Sequence, residues 1–243
     1  MGMELLDAKK IYYELIEKKA IQIADNYKNG HAISEDILLF IHQIYRAAQS
    51  EKNYGDSNFS CAYHSPISGD LEFFIARILH HSFCLHEKNW DVLLRRQSAG
   101  KTPDIRIKKN NRTIAIIEVK AKGGWIQTFL SKERYEKDLS QGKNPQVTVD
   151  KMKGQLEKYQ SHFELPADRI FFLLPTLKLV HRKKYKSGIK DYLSYFENTS
   201  GLPADNFILL SDNMNLDLAC GVECLAPSCR FETMMDGLLQ YSE

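Results

Sequence analysis

The chain has 243 residues, 43% hydrophobic and 26% charged, enough for one large domain or a core with a helical appendage. No apolar run approaches the roughly 20 residues of a membrane span, Glu4 and Asp7 break the layout of a signal peptide, and five scattered cysteines without a disulfide framework fit a reducing cytoplasm. The net charge of +2 hides an asymmetry: residues 101–190 hold 21 Lys and Arg against 9 Asp and Glu, whereas residues 191–243 hold 1 against 9.

Residues 3–27 and 34–50 carry apolar residues at helical spacing (Leu5, Ile11, Tyr12, Leu15 and Ile16, then Ile37, Leu38, Ile41, Ile44 and Tyr45), and Gly30 breaks them into a helical hairpin. A polar stretch, 51–69, leads to a helix over about 70–84, where Leu71, Phe74, Ile75, Ile78 and Leu79 form one stripe. The period then changes. Residues 90–96, 104–108 and 113–120 read as three strands, the last two joined by a turn around Asn110-Asn111. A long loop follows. Val149, Met152, Leu156, Tyr159 and Phe163 mark a helix, 170–174 a buried strand, 188–198 a helix and 207–210 a further strand. The expected fold is α/β, a central mixed sheet flanked by helices, with a helical hairpin over 1–60 and the main domain, acidic at its end, over 61–243.

Gly100-Lys101-Thr102 has the look of a phosphate loop's tail, but Arg95 stands where that loop needs a glycine. Pro103 also disfavours the helix that must follow, and the alternation of Ile105 and Ile107 predicts a strand instead. A nucleotide-binding loop is therefore excluded.

The chemistry gathers on the second and third strands. The hairpin folds Asp104, at the start of one, back toward Glu118-Val119-Lys120, at the end of the other; alternation puts Glu118 and Lys120 on one face. Whether Asp104 joins them depends on register. A two-residue turn at Asn110-Asn111 sets it opposite Ile117, and a three-residue loop over 110–112 sets it opposite Glu118; the three-residue loop, which commonly carries a bulge, is expected. A Glu-x-Lys pair on a strand is ordinarily a solvated face, but Ile114, Ala115, Ile116, Ile117 and Val119 make this strand apolar on both sides, so a carboxylate there needs a partner or a metal. Two nearby carboxylates suit Mg²⁺, which seldom takes an all-protein cage, and Lys120 is placed to hold a water and to stabilise charge.

Pro103-Asp104, thirteen intervening residues and Glu118-Val119-Lys120, in this order of elements, resemble the PD-(D/E)XK nuclease superfamily, most of all its type II restriction endonucleases. Glu72 on the preceding helix and Gln155-Leu156-Glu157-Lys158-Tyr159 on the following one match further elements, over about residues 70–175. The resemblance implies an αβββαβ core and a metal-dependent DNA endonuclease, with Asp104 and Glu118 holding Mg²⁺ (or Mn²⁺), Lys120 positioning the water and Glu72 orienting a metal-bound water or second cation. Gln155 and Tyr159 would buttress Lys120 or touch DNA, and the hairpin would be a homodimer contact or a DNA arm. A repair or phage-type nuclease and a catalytically silent nucleic-acid-binding module are the alternatives.

Lys101, Arg106 and Lys122 flank the site and are expected to steer a phosphate. His181, Arg182, Lys183, Lys184 and Lys186 surround Tyr185, as suits a duplex DNA backbone, whereas the acidic tail is expected to pack away from it. Cys220, Cys224 and Cys229, like His80, His81, Cys84 and His86, lack the paired spacing of a zinc site and are read as ordinary side chains. Duplex binding should weaken with salt at a log–log slope of about −0.9 per neutralised phosphate, and charge reversal at Lys183 and Lys184 should flatten it. A fluorescence titration across salt concentrations checks this, and an unchanged slope moves the DNA surface elsewhere.

Overall fold

The computed structural model describes residues 2–50, 67–84, 89–98, 100–120, 131–176, 189–213 and 225–241. Helices α1 (Gly2–Lys28) and α2 (Ser34–Ser50) precede α3 (Ile67–Phe83). Strands β1 (Trp90–Leu94), β2 (Ile105–Lys109) and β3 (Arg112–Val119) follow, then α4 (Lys132–Ser140), α5 (Pro145–Phe163), β4 (Ile170–Leu174), α6 (Ile189–Ser200), β5 (Phe207–Leu209) and α7 (Arg230–Leu239). The strands lie in sequence order in one mixed sheet: β1, β2 and β3 are antiparallel, and β4 and β5 run parallel to β3.

Alternation along the strands divides the core in two. Ile105, Ile107, Ile117, Val119, Phe171 and Leu173 face one apolar cluster with α1, α2, α3 and α7. Ile116, Ile170, Phe172 and Leu174 face the other, with Leu156, Tyr159 and Phe163 of α5 and Phe196 of α6. The hairpin α1–α2 is thus part of the cluster that backs the sheet. Helix α7, at the end of the acidic tail, closes that same side: its Glu232 accepts from the backbone N–H groups of Ile33 and Ser34 at 3.0 and 2.8 Å, capping α2 where its dipole favours negative charge.

The hairpin register differs from the expected one in its cause. Lys109 pairs with Arg112, so the turn has two residues, Asn110 and Asn111, both left-handed (φ 50° and 65°), as a tight hairpin turn requires. The extra residue sits in the strand: Lys108 pairs with Thr113 and Ile107 with Ala115, leaving Ile114 as a bulge. Ile114 and Ala115, neighbours in sequence, consequently both join the α3 cluster. Beyond the bulge Ile105 pairs with Ile117, which carries Asp104 opposite Glu118.

One boundary also moves, and two helices are added. The first strand stops at Leu94, not at residue 96, because Arg95 is left-handed (φ 45°). The expected long loop contains α4, whose sequence has no apolar stripe; Ser131 caps it by accepting from the Arg134 N–H at 3.2 Å, and Asp138 holds Arg134 and Lys143. Helix α7 was not expected in the acidic tail, although Phe231, Met234, Met235 and Leu238 supply a helical stripe.

Because Asn tolerates the left-handed region and a β-branched residue does not, Asn111→Val should cost about 1–3 kcal/mol in urea unfolding, and Asn111→Gly should match or exceed the wild type. Equal midpoints for the Val and Gly variants would contradict the turn assignment.

Candidate active site

Ile105 and Ile107 turn toward α3, so Arg106 turns toward α5, where its guanidinium lies 5.3 Å over the Phe163 ring. The bulge brings Glu118 to that side. Past the end of β3, the Lys120 N–H still donates to Leu173 of β4 at 2.8 Å, which fixes the backbone from which the ammonium projects.

Five side chains form one hydrogen-bonded line there. Lys120 Nζ donates to Asp104 Oδ2 at 2.9 Å and to Glu118 Oε2 at 2.8 Å. Asp104 Oδ2 also accepts from the Val119 N–H at 3.0 Å. The Tyr159 hydroxyl donates to Glu118 Oε1 at 2.9 Å and accepts from Gln155 Nε2 at 2.8 Å. The line is nearly dry: the side chains of Glu118, Lys120 and Asp104 are 6%, 16% and 19% exposed.

Burial pushes the Glu118 carboxyl above the usual carboxylate range, with Lys120 pulling against it and Asp104 adding to it. For Lys120 burial acts downward, but Glu118 and Asp104 together outweigh it and the ammonium is held more firmly charged. Burial and the Glu118 charge raise the Tyr159 hydroxyl, which keeps it a donor. Two carboxylates thus share one ammonium, and with all three ionised the cluster carries one net negative charge.

That deficit, in a set of hard oxygen donors, fits a divalent cation. Asp104 Oδ1 accepts no hydrogen bond among the described residues, and Mg²⁺ commonly takes only one or two carboxylates and keeps its waters. No group of three or more His, Cys, Asp and Glu side chains that could hold a metal gathers among the described residues.

Glu72 is buried but stands apart from this donor set. Its carboxylate takes Arg95 as a fork, Nη2 on Oε1 at 2.7 Å and Nε on Oε2, with Ser68 Oγ donating to Oε1 at 3.5 Å. Tyr159 and Gln155 buttress Glu118, not Lys120; with 3% exposure Tyr159 presents no surface to a partner. Lys101 closes a tight turn on Ser98, each backbone N–H donating to the other's carbonyl (2.8 and 2.9 Å), with Gly100 at φ 76°. Both N–H groups are thereby taken by carbonyls, so the turn offers them to no phosphate. Arg106 Nε is buried without a hydrogen-bond partner among the described residues, and burial lowers the guanidinium's pKa.

Lys122, Arg182, Lys183, Lys184 and Lys186, with Tyr185, His86, Cys220 and Cys224, lie outside the described residues. His81 pairs with Glu17 at 2.7 Å, Cys84 Sγ meets the Trp90 carbonyl at 3.4 Å, and Cys229 is an exposed free thiol. The residue that sequence reasoning missed is Arg95, noted there only as a missing glycine; its left-handed backbone and its pairing with Glu72 leave no local signal.

Comparison of the chain with models of protein families, with curated proteins and with solved structures finds no match.

Because the folded Glu118 carboxyl binds its proton more tightly than the unfolded one, its share of stability is complete below the ordinary glutamate range and is lost as pH rises through its raised folded value. In metal-free buffer Glu118→Gln should remove that decline, so that its advantage over wild type grows from pH 4 to pH 8 in urea unfolding. An advantage that shrinks over this window would contradict the assignment.

Proposed function

We propose that this protein is a Mg²⁺-dependent DNA endonuclease of the PD-(D/E)XK kind, hydrolysing phosphodiesters in the manner of type II restriction enzymes. One observation carries the reading: Asp104 and Glu118, from the ends of two adjacent strands, meet on a single Lys120 ammonium at 2.9 and 2.8 Å, in the sequence order Pro103-Asp104, Glu118-Val119-Lys120. The finer fold reading, α3–β1–β2–β3–α5–β4 as a restriction-endonuclease-like core, rests on the same order of elements.

A divalent cation held by Asp104 and Glu118 would supply charge at the phosphoryl oxygens and a water acidic enough to attack near neutral pH. The chain's own residues do the positioning. Tyr159, donating to Glu118 Oε1, fixes the plane of that carboxylate, and Gln155 fixes Tyr159. Lys120, kept protonated by the two carboxylates, orients the nucleophile and meets the negative charge that develops at phosphorus. The basic excess of residues 101–190 supplies the attraction for a duplex.

The Gln155–Tyr159–Glu118 link favours a second reading within the same chemistry, a repair or phage-type nuclease that acts on DNA structure or ends. Supercoiled and linear substrates separate the two.

With supercoiled plasmid and Mg²⁺, wild type should nick or linearise the DNA, and EDTA should stop it. Lys120→Met should lower the rate by about 10² or more, as for loss of one electrostatic stabiliser, while binding duplex in Ca²⁺. Cleavage that survives EDTA, or a Lys120→Met rate within a few-fold of wild type, contradicts the mechanism; duplex binding without any cleavage favours a silent binding module.

A further inference from the structure

The Glu72 carboxylate is 4% exposed, and one guanidinium fills both of its oxygens. A fork of this kind fixes the guanidinium plane and leaves its remaining N–H groups for another acceptor. The Arg95 side chain is 56% exposed, so those groups reach solvent. Its backbone is held against the cluster, the Arg95 N–H donating to the Asp104 carbonyl at 2.9 Å. At φ 45° Arg95 adopts a conformation that a non-glycine residue keeps only where its surroundings impose it, and such conformations gather at working sites. The Glu72 hydrogen bond, against burial, raises the Arg95 pKa, and the charges of Glu72 and Asp104 add to it.

A buried ion pair adds little net stability compared with apolar packing. Its geometry here serves something else. Resting on the nuclease reading, we propose that Arg95 binds the phosphodiester at the Asp104–Glu118–Lys120 site, its fixed charge standing where a second divalent cation would, and that Glu72 is a positioning residue that aims Arg95 and ligates no metal. Lys120 then meets the Asp104 carboxylate and the Arg95 backbone N–H meets the Asp104 carbonyl, so Asp104 ties the ammonium to the strand end that carries Arg95. The substrate class is a phosphodiester whose oxygens match the guanidinium N–H groups that Glu72 leaves free.

The test counts cations and phosphate contacts separately. Calorimetric titration of Ca²⁺ into the full chain should give one site, with Glu72→Gln leaving its affinity within a few-fold. The double variant Glu72→Gln/Arg95→Met removes the buried charge together with its partner, so it avoids an orphaned carboxylate. It should reduce the log–log salt slope of duplex binding in Ca²⁺ by about 0.9, for one lost phosphate contact, and slow Mg²⁺-dependent cleavage by about 10² or more. Arg95→Lys keeps the charge without the fork and should retain the slope but not the rate. Two Ca²⁺ sites in wild type, one of them removed by Glu72→Gln, would make Glu72 a metal ligand and overturn the proposal, as would a double variant with unchanged slope. If wild type cleaves no DNA with any divalent metal, the nuclease reading fails by itself, and the slope alone still decides whether Arg95 meets a phosphate.

Discussion

The Lys120 ammonium sits between two carboxylates that would otherwise repel each other in a nearly dry site, and the surrounding structure is arranged to keep it there. Removing that ammonium would leave two carboxylates buried without a counter-charge, a loss that typically costs about 3–5 kcal/mol because neither has water to turn to. The sheet therefore has to deliver three side chains to within hydrogen-bonding distance of one nitrogen. Pairing with β4 anchors the Lys120 backbone, the bulge at Ile114 brings Asp104 opposite Glu118, and Tyr159 on α5 holds the far oxygen of Glu118. Without the extra residue the two-residue turn would set Asp104 against Ile117 and turn it to the opposite face.

On the side of the sheet away from α5, carboxylates brace the helices by hydrogen bonds. Tyr12 and Tyr13 of α1 donate to Asp70 in the first turn of α3, at 2.9 and 3.3 Å, and so brace the helix that carries Glu72. Asp236 and Glu232 of α7 are spent on Tyr27 and on the start of α2, on the side of the sheet away from α5. These two carboxylates of the acidic tail thereby serve the scaffold.

Much of this was legible in the sequence because it is written in short periods. Strand alternation identified the apolar β3 and the anomaly of Glu118 within it, and the stripe from Val149 to Phe163 defined α5 and placed Gln155 one turn from Tyr159. Register was harder. An odd residue was needed between Asp104 and Glu118, but nothing local distinguishes a bulge at Ile114 from a longer turn, since Ile114 is as apolar as its neighbours. Helix α4 escaped because its stability lies in caps and ion pairs instead of a stripe. Arg95 escaped because its meaning lies in a backbone angle and in Glu72, 23 residues away.

With Asp104, Glu118 and Lys120 all ionised the cluster is one positive charge short, and the melting temperature against divalent cation concentration tests that most directly. Wild type should melt higher as Mg²⁺ or Ca²⁺ is added, in proportion to the logarithm of concentration once the site fills, because only the folded chain assembles the donors. Asp104→Asn and Glu118→Gln should show no such rise, and in EDTA should melt no lower than wild type, since each relieves a repulsion. A wild type indifferent to both cations, with both variants melting several degrees lower in EDTA, would make the cluster a structural ion network and remove the basis for the proposed chemistry.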